Sequence, residues 1–506
     1  MTLGGSPEVA ERLQQRLAAL KRDRVVERIW QGDHTVWGQS PTGIADRLGW
    51  LTAPRDMRAE APRLVTFAHQ VRAAGITQAV LCGMGGAVMA PEVIRATFGV
   101  ADGAIDLTVL DSTDPAQLLA VERSLDLEKT LFIFSSKSGG TIETMSHLEY
   151  FWAEVRNGSQ FVAITDPGTP LADLATSRGF REVFLNPETI GGRFSGLSLF
   201  GLVPAALLGV DFDGLLGHAA AMADLCAQEP HDNPGAWLGA VMAECSLAGR
   251  DKLTLILPPE IGTLGWWIEQ MVSESTGKGG GGILPIEGEP LGEPADYGPD
   301  RAFIASGATS AGHLERAGFP VAHLRFDGPT ALGAEFFRWQ FATAVAGAIL
   351  GLNPFDQPDV QAAKDATSAV LAGQQVDAAT PSAADVLSTL QPRDYIAINA
   401  YVPRTAENAA ALQLVRLALR ARYRAAVTIG FGPRFLHSTG QYFKGGPNTG
   451  VFLQAVSDAP EDVAIPGQPY TFGELKRAQA LGDLASLREK GRRVARLSWS
   501  DLLALA

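Results

Sequence analysis

The stretch LFIFSSKSGGTIET, residues 131–144, decides the fold. Its first four residues are apolar without polar alternation, which suits a strand buried on both faces. A Ser/Thr/Gly loop follows, and then residues that open a helix. A strand, a hydroxyl-rich turn and a helix start in succession form the opening of a β-α-β unit. Free N–H groups at such a helix start point outward, and the helix dipole favours negative charge. Ser136, Ser138, Thr141 and Thr144 add hydroxyl donors, and Lys137 adds a positive charge. Gly139 and Gly140 let the backbone approach a ligand closely. A phosphate matches this set, and a hydroxyl-rich capping turn is the simpler alternative. The pattern GxxxxGK followed by Ser or Thr is absent, which argues against a nucleoside triphosphatase.

The same rhythm continues on both sides. Short apolar runs at 79–82, 107–110, 161–165 and 182–185 alternate with helical stretches. Alternation of this kind predicts a parallel sheet covered by helices. A second α/β unit begins near residue 235, with strands expected at 252–257, 302–306 and 321–326, a helix at 262–275 and a long buried helix at 331–350. The polar segment GQQVDAATPS (373–382) reads as a linker. Beyond it, strands are expected at 395–401, 425–430 and 451–455, among helices. At the N-terminus Ser6 can cap a helix over 6–30, with Val9, Leu13, Leu17 and Leu20 on one face. The expected division is a helical segment over 1–60, α/β units over 61–225 and 226–372, and an α/β region over 373–506.

With 506 residues the chain has room for two to four domains, at roughly 150 residues each. Its 42 Lys and Arg against 55 Asp and Glu leave a net charge of −13, a poor match to nucleic acid or an anionic membrane. Three cysteines, Cys82, Cys226 and Cys245, have neither the number for a disulfide framework nor the CxxC spacing of a zinc site. No signal-like run opens the chain, and the apolar runs at 197–210 and 341–352 are too short to span a bilayer. A cytoplasmic protein is expected, without metal.

Five further segments carry chemistry. LCGMGGAVMAPE (81–92) places Gly83, Gly85 and Gly86 between a strand and a helix; it is a partial dinucleotide fingerprint and equally a close-approach turn. IGGRFSGLSL (190–199) sets Arg193 after two glycines, as an oxyanion ligand or a structural ion pair. WWIEQMVSESTGKGGGG (266–282) holds Glu269 and Glu274 in an apolar helix, where a carboxylate can become a base near neutrality. NPFDQPDVQAAK (353–364) puts Lys364 on a helix after a proline-fixed turn. GFGPRFLHSTGQYFKGGPNTG (430–450) gathers Arg434, His437, Gln441 and Lys444 in a polar loop.

Together SSKSGGTIET (135–144), GGRFSGLSLFG (191–201), SESTGKGGGGILP (273–285) and LGLNPFDQPDVQAAK (350–364) resemble the phosphoglucose isomerase family, in the family's order. RIWQGDHTVW (28–37) and the 430–454 tail are similar to the isomerase portion of bifunctional transaldolase/phosphoglucose isomerases. The transaldolase barrel is expected to be absent. The resemblance implies two sugar-isomerase (SIS) domains, each a parallel sheet flanked by helices. It also implies a homodimer and cofactor-free interconversion of glucose 6-phosphate and fructose 6-phosphate through a cis-enediol. Carried over by motif, Ser136, Lys137, Ser138, Thr141 and Thr144 hold the phosphate, and Gly85, Gly86 and Gly192 let the sugar lie on backbone. Glu274 is the base, Arg193 stabilises the enediolate, and Lys364 lies near the ring oxygen.

Two positions depart from the family's pattern. Ala87 stands where GGS is usual, and no histidine motif is recognisable between Glu274 and Lys364, although His313 and His323 lie there. His437 is therefore expected to open the ring. The alternative function is a catalytically weak SIS-type protein that binds or senses a sugar phosphate.

Overall fold

The computed structural model describes residues 1–307 and 310–506. A short strand, β1 (Thr2–Gly4), comes first. The apolar runs around the 131–144 stretch become β2 (Gln78–Gly83), β3 (Asp106–Leu110), β4 (Thr130–Ser135), β5 (Phe161–Thr165) and β6 (Glu182–Leu185). They pair in the order β3-β2-β4-β5-β6, and every pairing is parallel. The order reverses between β2 and β4, and a crevice outside the carboxyl ends at such a switch point is where open α/β sheets take their ligands. The glycine loop after β2 and the hydroxyl loop after β4 both open into that crevice.

A second sheet contains β7 (Lys252–Ile256), β8 (Leu284–Ile286), β9 (Arg301–Ser306) and β10 (Val321–Leu324) in the order β1-β10-β9-β7-β8. It is parallel except for β1, which closes one edge antiparallel to β10. The third sheet, β11 (Tyr395–Tyr401), β12 (Ala426–Phe431), β13 (Gly450–Val456) and β14 (Arg493–Ser498), runs β12-β11-β13-β14 with all pairs parallel. Among the parallel strands of each sheet the second pairs outside the first, and the third returns to the first strand's other side. The C-terminal region thus repeats the order of the other two.

Helices Pro234–Leu247 and Leu332–Leu350 are apolar on nearly all faces and almost wholly buried, as helices without a polar side must be. A Cβ on Gly239 would lie 2.4 Å from the Ala342 carbonyl, so this glycine lets the two backbones meet. The expected helix over 6–30 is two helices, Pro7–Arg22 and Val25–Trp30, broken where Arg24 takes φ 53°. Ser6 does cap the first, accepting from the Val9 amide at 3.4 Å. Residues 374–382 form neither helix nor strand, and Arg488 ties this segment down through the carbonyls of Asp377 and Ala379. Among the described residues no helix is long and apolar enough to cross a membrane.

Candidate active site

β4 delivers Ser136 to the crevice. Its amide bonds the Ile164 carbonyl at 3.0 Å, and its own carbonyl accepts from Thr165 Oγ1 at 2.7 Å, which fixes the loop against β5. Gly139 turns the chain at φ +64°, and a Cβ there would lie 2.6 Å from Thr169. Helix Ile142–Val155 then begins. Thr141 precedes it without capping it, and Met145 is the first amide to reach an intrahelical acceptor, at 2.9 Å from the Thr141 carbonyl. The amides ahead of Met145 therefore have no intrahelical acceptor, an arrangement suited to an anion. Ser136 Oγ and Thr141 Oγ1 lie 2.8 Å apart beside them, and the buried Thr144 hydroxyl has no partner.

Two members of the set sit differently. The Lys137 ammonium is paired with Asp166 and reaches the Glu188 carbonyl at 3.1 Å. Burial pushes the Asp166 carboxyl up, and the lysine opposes it. Ser138 is exposed and accepts from the Gly140 amide at 3.4 Å.

The glycines bring three segments together. A Cβ on Gly86 would lie 2.0 Å from the Gly192 carbonyl. One on Gly85 (φ +56°) would meet Gln270 Nε2 and the His437 carbonyl, each at 2.8 Å. Only glycine tolerates both the contact and the dihedral. Gly192 itself faces open space.

Arg193 is buried, and its guanidinium is bonded on all sides. Nε donates to Ser275 Oγ at 2.7 Å, and Nη1 donates to Gln357 Oε1 at 3.0 Å and lies 3.4 Å from Glu274 Oε1. Nη2 donates to the carbonyls of Pro354 and Asp356 at 2.6 and 2.8 Å. Lys278 grips the same turn, donating to the carbonyls of Asn353 and Asp356 and to Asp356 Oδ1 at 2.6–2.7 Å. Burial, and then the charge of Arg193, push Lys278 down to about 8. This double clamp seats helix Val360–Leu371, which carries Lys364.

Glu274 ends helix Leu264–Thr276, between Arg193 and Gln270. Gln270 Nε2 donates to Glu274 Oε2 at 3.2 Å and to the His437 carbonyl at 2.7 Å. The third sheet supplies His437 through the turn Arg434–His437. Its Nε2 donates to Glu143 Oε1 at 2.9 Å, because a carboxylate only accepts. Gln479 donates to the same oxygen at 2.7 Å. Burial opposes ionisation of Glu143, but the charges of His437 and Lys364 outweigh it and hold the carboxyl below its usual range. Thr141, Glu143, Lys364 and His437 line one cavity of about 190 Å³.

The sequence reading overlooked Glu143, Gln270, Gln357, Gln479 and Lys278. Gln270 was findable, since it stands one helical turn before Glu274 and therefore on its face. Glu269 lies apart from Glu274, in a second cavity. His313 bonds the Gly292 carbonyl at 3.1 Å and His323 pairs with Glu315, both away from this cleft. Among the described residues no group of three or more His, Cys, Asp or Glu is arranged for a metal ion.

The family model described as phosphoglucose isomerase matches residues 62–280. A glucose-6-phosphate isomerase of Rubrobacter xylanophilus is 28% identical over 390 residues, which is 65% of this chain and 90% of that one. That of Thermosynechococcus vestitus is 35% identical over 42% of this chain and 44% of its own, and that of Thermus thermophilus is 32% identical over 46% and 56%. These last two alignments thus span about half of each relative. Among solved structures, a glucose-6-phosphate isomerase from Chlamydia trachomatis shares the fold with a TM-score of 0.58 at 20% identity, over 71% of this chain and 86% of that one. A hypothetical protein from Thermus thermophilus does so at 0.61 and 24%, over 74% and 100%. Parallel sheets flanked by helices, with a hydroxyl-rich loop at the first switch point, place the chain in the α/β fold that these solved structures share. Within that fold, residues 62–280 are similar to the phosphoglucose isomerase family, and the curated relatives that align are glucose-6-phosphate isomerases.

Proposed function

We propose that this chain interconverts glucose 6-phosphate and fructose 6-phosphate. The observation that carries the reading is the chain of contacts Glu274–Gln270–His437–Glu143: Gln270 joins the carboxylate of the second α/β unit to the His437 carbonyl, and the His437 ring bonds Glu143 on the helix that follows the hydroxyl loop. The phosphate seats on the Ser136–Thr144 loop, with the Ser136 and Thr141 hydroxyls and the free amides of helix 142–155. Ser138 and Thr144 flank this seat, and Lys137 contributes through its pair with Asp166. The sugar then lies along the backbone of Gly85, Gly86 and Gly192.

His437, aligned through Nε2 by Glu143, exchanges a proton at Nδ1 with the ring oxygen and the anomeric hydroxyl, and Lys364 steadies the oxygen. In the open chain Glu274 takes the proton from C2 of the aldose, or C1 of the ketose, and returns it to the neighbouring carbon. Charge then develops on the enediolate oxygens. Because the donors of Arg193 are committed to protein, it stabilises this charge through its field in a water-poor site, in which preorganised charge acts most strongly.

The reading includes SIS domains over 61–225 and 226–372, a cytoplasmic location and a homodimer. Three buried, free cysteines suit a reducing compartment. The decisive assay is conversion of fructose 6-phosphate by wild type and Glu274→Gln, with EDTA present. Wild-type turnover that falls by roughly 10²–10⁴-fold or more in the variant supports the base. A folded wild type that binds the sugar phosphate without turning it over would favour the sensor, and Ala87 would be its first suspect.

A further inference from the structure

A second cavity of about 440 Å³ lies behind the catalytic helix, at the carboxyl ends of β11 and β12. Its size falls within the roughly 300–1,000 Å³ of small-molecule sites. Its walls are one face of helix Ala406–Tyr423, the far face of helix 264–276 and the turn that leads to His437. None of its lining side chains is used in the proposed isomerisation.

The polar groups in it are only partly satisfied. Arg416 is 2% exposed; its Nη1 donates to the Glu287 carbonyl at 2.9 Å, and its Nε has no partner. Gln413 Nε2 donates to the Gly288 carbonyl at 2.6 Å, and its Oε1 has no partner. The Glu269 carboxyl, 8% exposed, makes no hydrogen bond. Burial and the neighbouring Glu287 push it well up, toward the neutral, donating form. At the other end, Arg404 and Arg434 flank the Trp266 ring at 5.5 and 5.2 Å. Arg434 is held by Asp111 at 2.5 Å, whereas Arg404 contacts Glu92 only at 3.5 Å and Asp111 at 3.7 Å. Beside Arg404 begins the 18-residue helix. Thr405 accepts from the Asn408 amide, and its carbonyl accepts from Ala409, so the amides of Ala406 and Glu407 lie free at the positive helix end.

Buried donors and acceptors left unpaired are costly, and a ligand that pairs them is correspondingly favoured. Arginine and a helix start select an oxyanion. An amide oxygen and a carboxyl further along select hydroxyl groups. We infer that this cavity is a second ligand site, which takes a small polyol bearing one oxyanion, with the anion at Arg404 and the helix start and the hydroxyls along Gln413, Glu269 and Arg416.

The oxyanion can be a phosphate or a carboxylate, and titration calorimetry of the full chain with glycerol 3-phosphate and, separately, D-gluconate distinguishes them. Saturable 1:1 binding of at least one probe is expected. Arg416→Met should weaken it about tenfold or more, Gln413→Leu should weaken it measurably, and Thr141→Val in the catalytic loop should leave it unchanged. If Arg416→Met fails to fold by circular dichroism, Arg404→Met takes its place. Absence of saturable binding of either probe would overturn the inference. So would binding lost in Thr141→Val but insensitive to the cavity variants, since the probe would then occupy the catalytic loop. Binding is read without turnover, so failure of the isomerase reading leaves this result standing.

Discussion

Glu143→Gln isolates one step of the proposed reaction. In the wild type, Glu143 Oε1 accepts from His437 at 2.9 Å and from Gln479 at 2.7 Å, so the carboxylate is fully oriented and its charge faces the imidazole. Glutamine keeps the shape and removes the charge. A hydrogen bond to a charged group is worth about 1.5–3 kcal/mol and a neutral one about 0.5–1.5 kcal/mol, so the histidine loses about 1–2 kcal/mol of support. That corresponds to a roughly 5–30-fold slower step if the imidazolium forms in its transition state. The affected step is ring opening. The assay compares kcat on fructose 6-phosphate with kcat on 5-deoxyfructose 6-phosphate, which lacks the hydroxyl that closes the ring. The first should fall by roughly 5–30-fold and the second should hold near the wild-type rate. An equal fall on both substrates would place Glu143 in the proton transfer or in general support of the fold. No fall on either would remove His437 from ring opening.

Further outcomes follow from other contacts. Gly86→Ala puts a methyl 2.0 Å from the Gly192 carbonyl, so it should cost about 1–3 kcal/mol in urea unfolding and displace Arg193, with a clear loss of kcat. Lys278, at about 8, holds three oxygens only as an ammonium, so kcat/KM should fall on an alkaline limb near that pH, and Lys278→Arg should move the limb upward. That limb is not unfolding: between 8 and 10.5 the unfolded chain binds more protons, so this lysine's share of stability rises there, and the thermal midpoint should not drop with the activity. His147, fully buried with Nε2 2.9 Å from the Ser112 carbonyl, is pushed by burial from 6.5 to about 4. The unfolded chain takes up that proton first, so about 3 kcal/mol of stability should be lost as pH falls from 6.5 to 4, and His147→Gln should flatten the profile.

The parallel sheets were legible because their strands are buried on both faces and read as plain apolar runs. β5 and β11 occupy the spans the runs mark, and β2, β3 and β4 extend theirs by a residue or two. β8 was missed because Leu284–Ile286 is three residues long and follows a glycine run. β14 was missed because Arg493 and Arg496 break its apolar residues into pieces too short to mark a run. In the cleft, Arg193, Glu274 and Lys364 stood out as charges in apolar or proline-fixed surroundings. Glu143 did not, because its meaning depends on a histidine 294 positions away, and no local pattern encodes that distance. The commitment of Lys137 to Asp166, on the next strand's loop, was hidden for the same reason.

The segment 374–382 divides the cleft's chemistry between two lengths of chain. Before it lie the anion loop, Glu274, Arg193 and Lys364; after it come His437 and Gln479. The halves are nonetheless fastened to each other, for Asp359 pairs with Lys490 at 2.5 Å and receives Gln441 at 2.8 Å, and a Cβ on Gly482 would touch the Thr367 backbone at 2.8 Å. The protein is therefore a natural candidate for fragment complementation. Cut between the exposed Gln374 and Gln375, upstream of the Arg488 tether, the two pieces should reassemble when co-expressed and recover isomerisation that neither piece has alone.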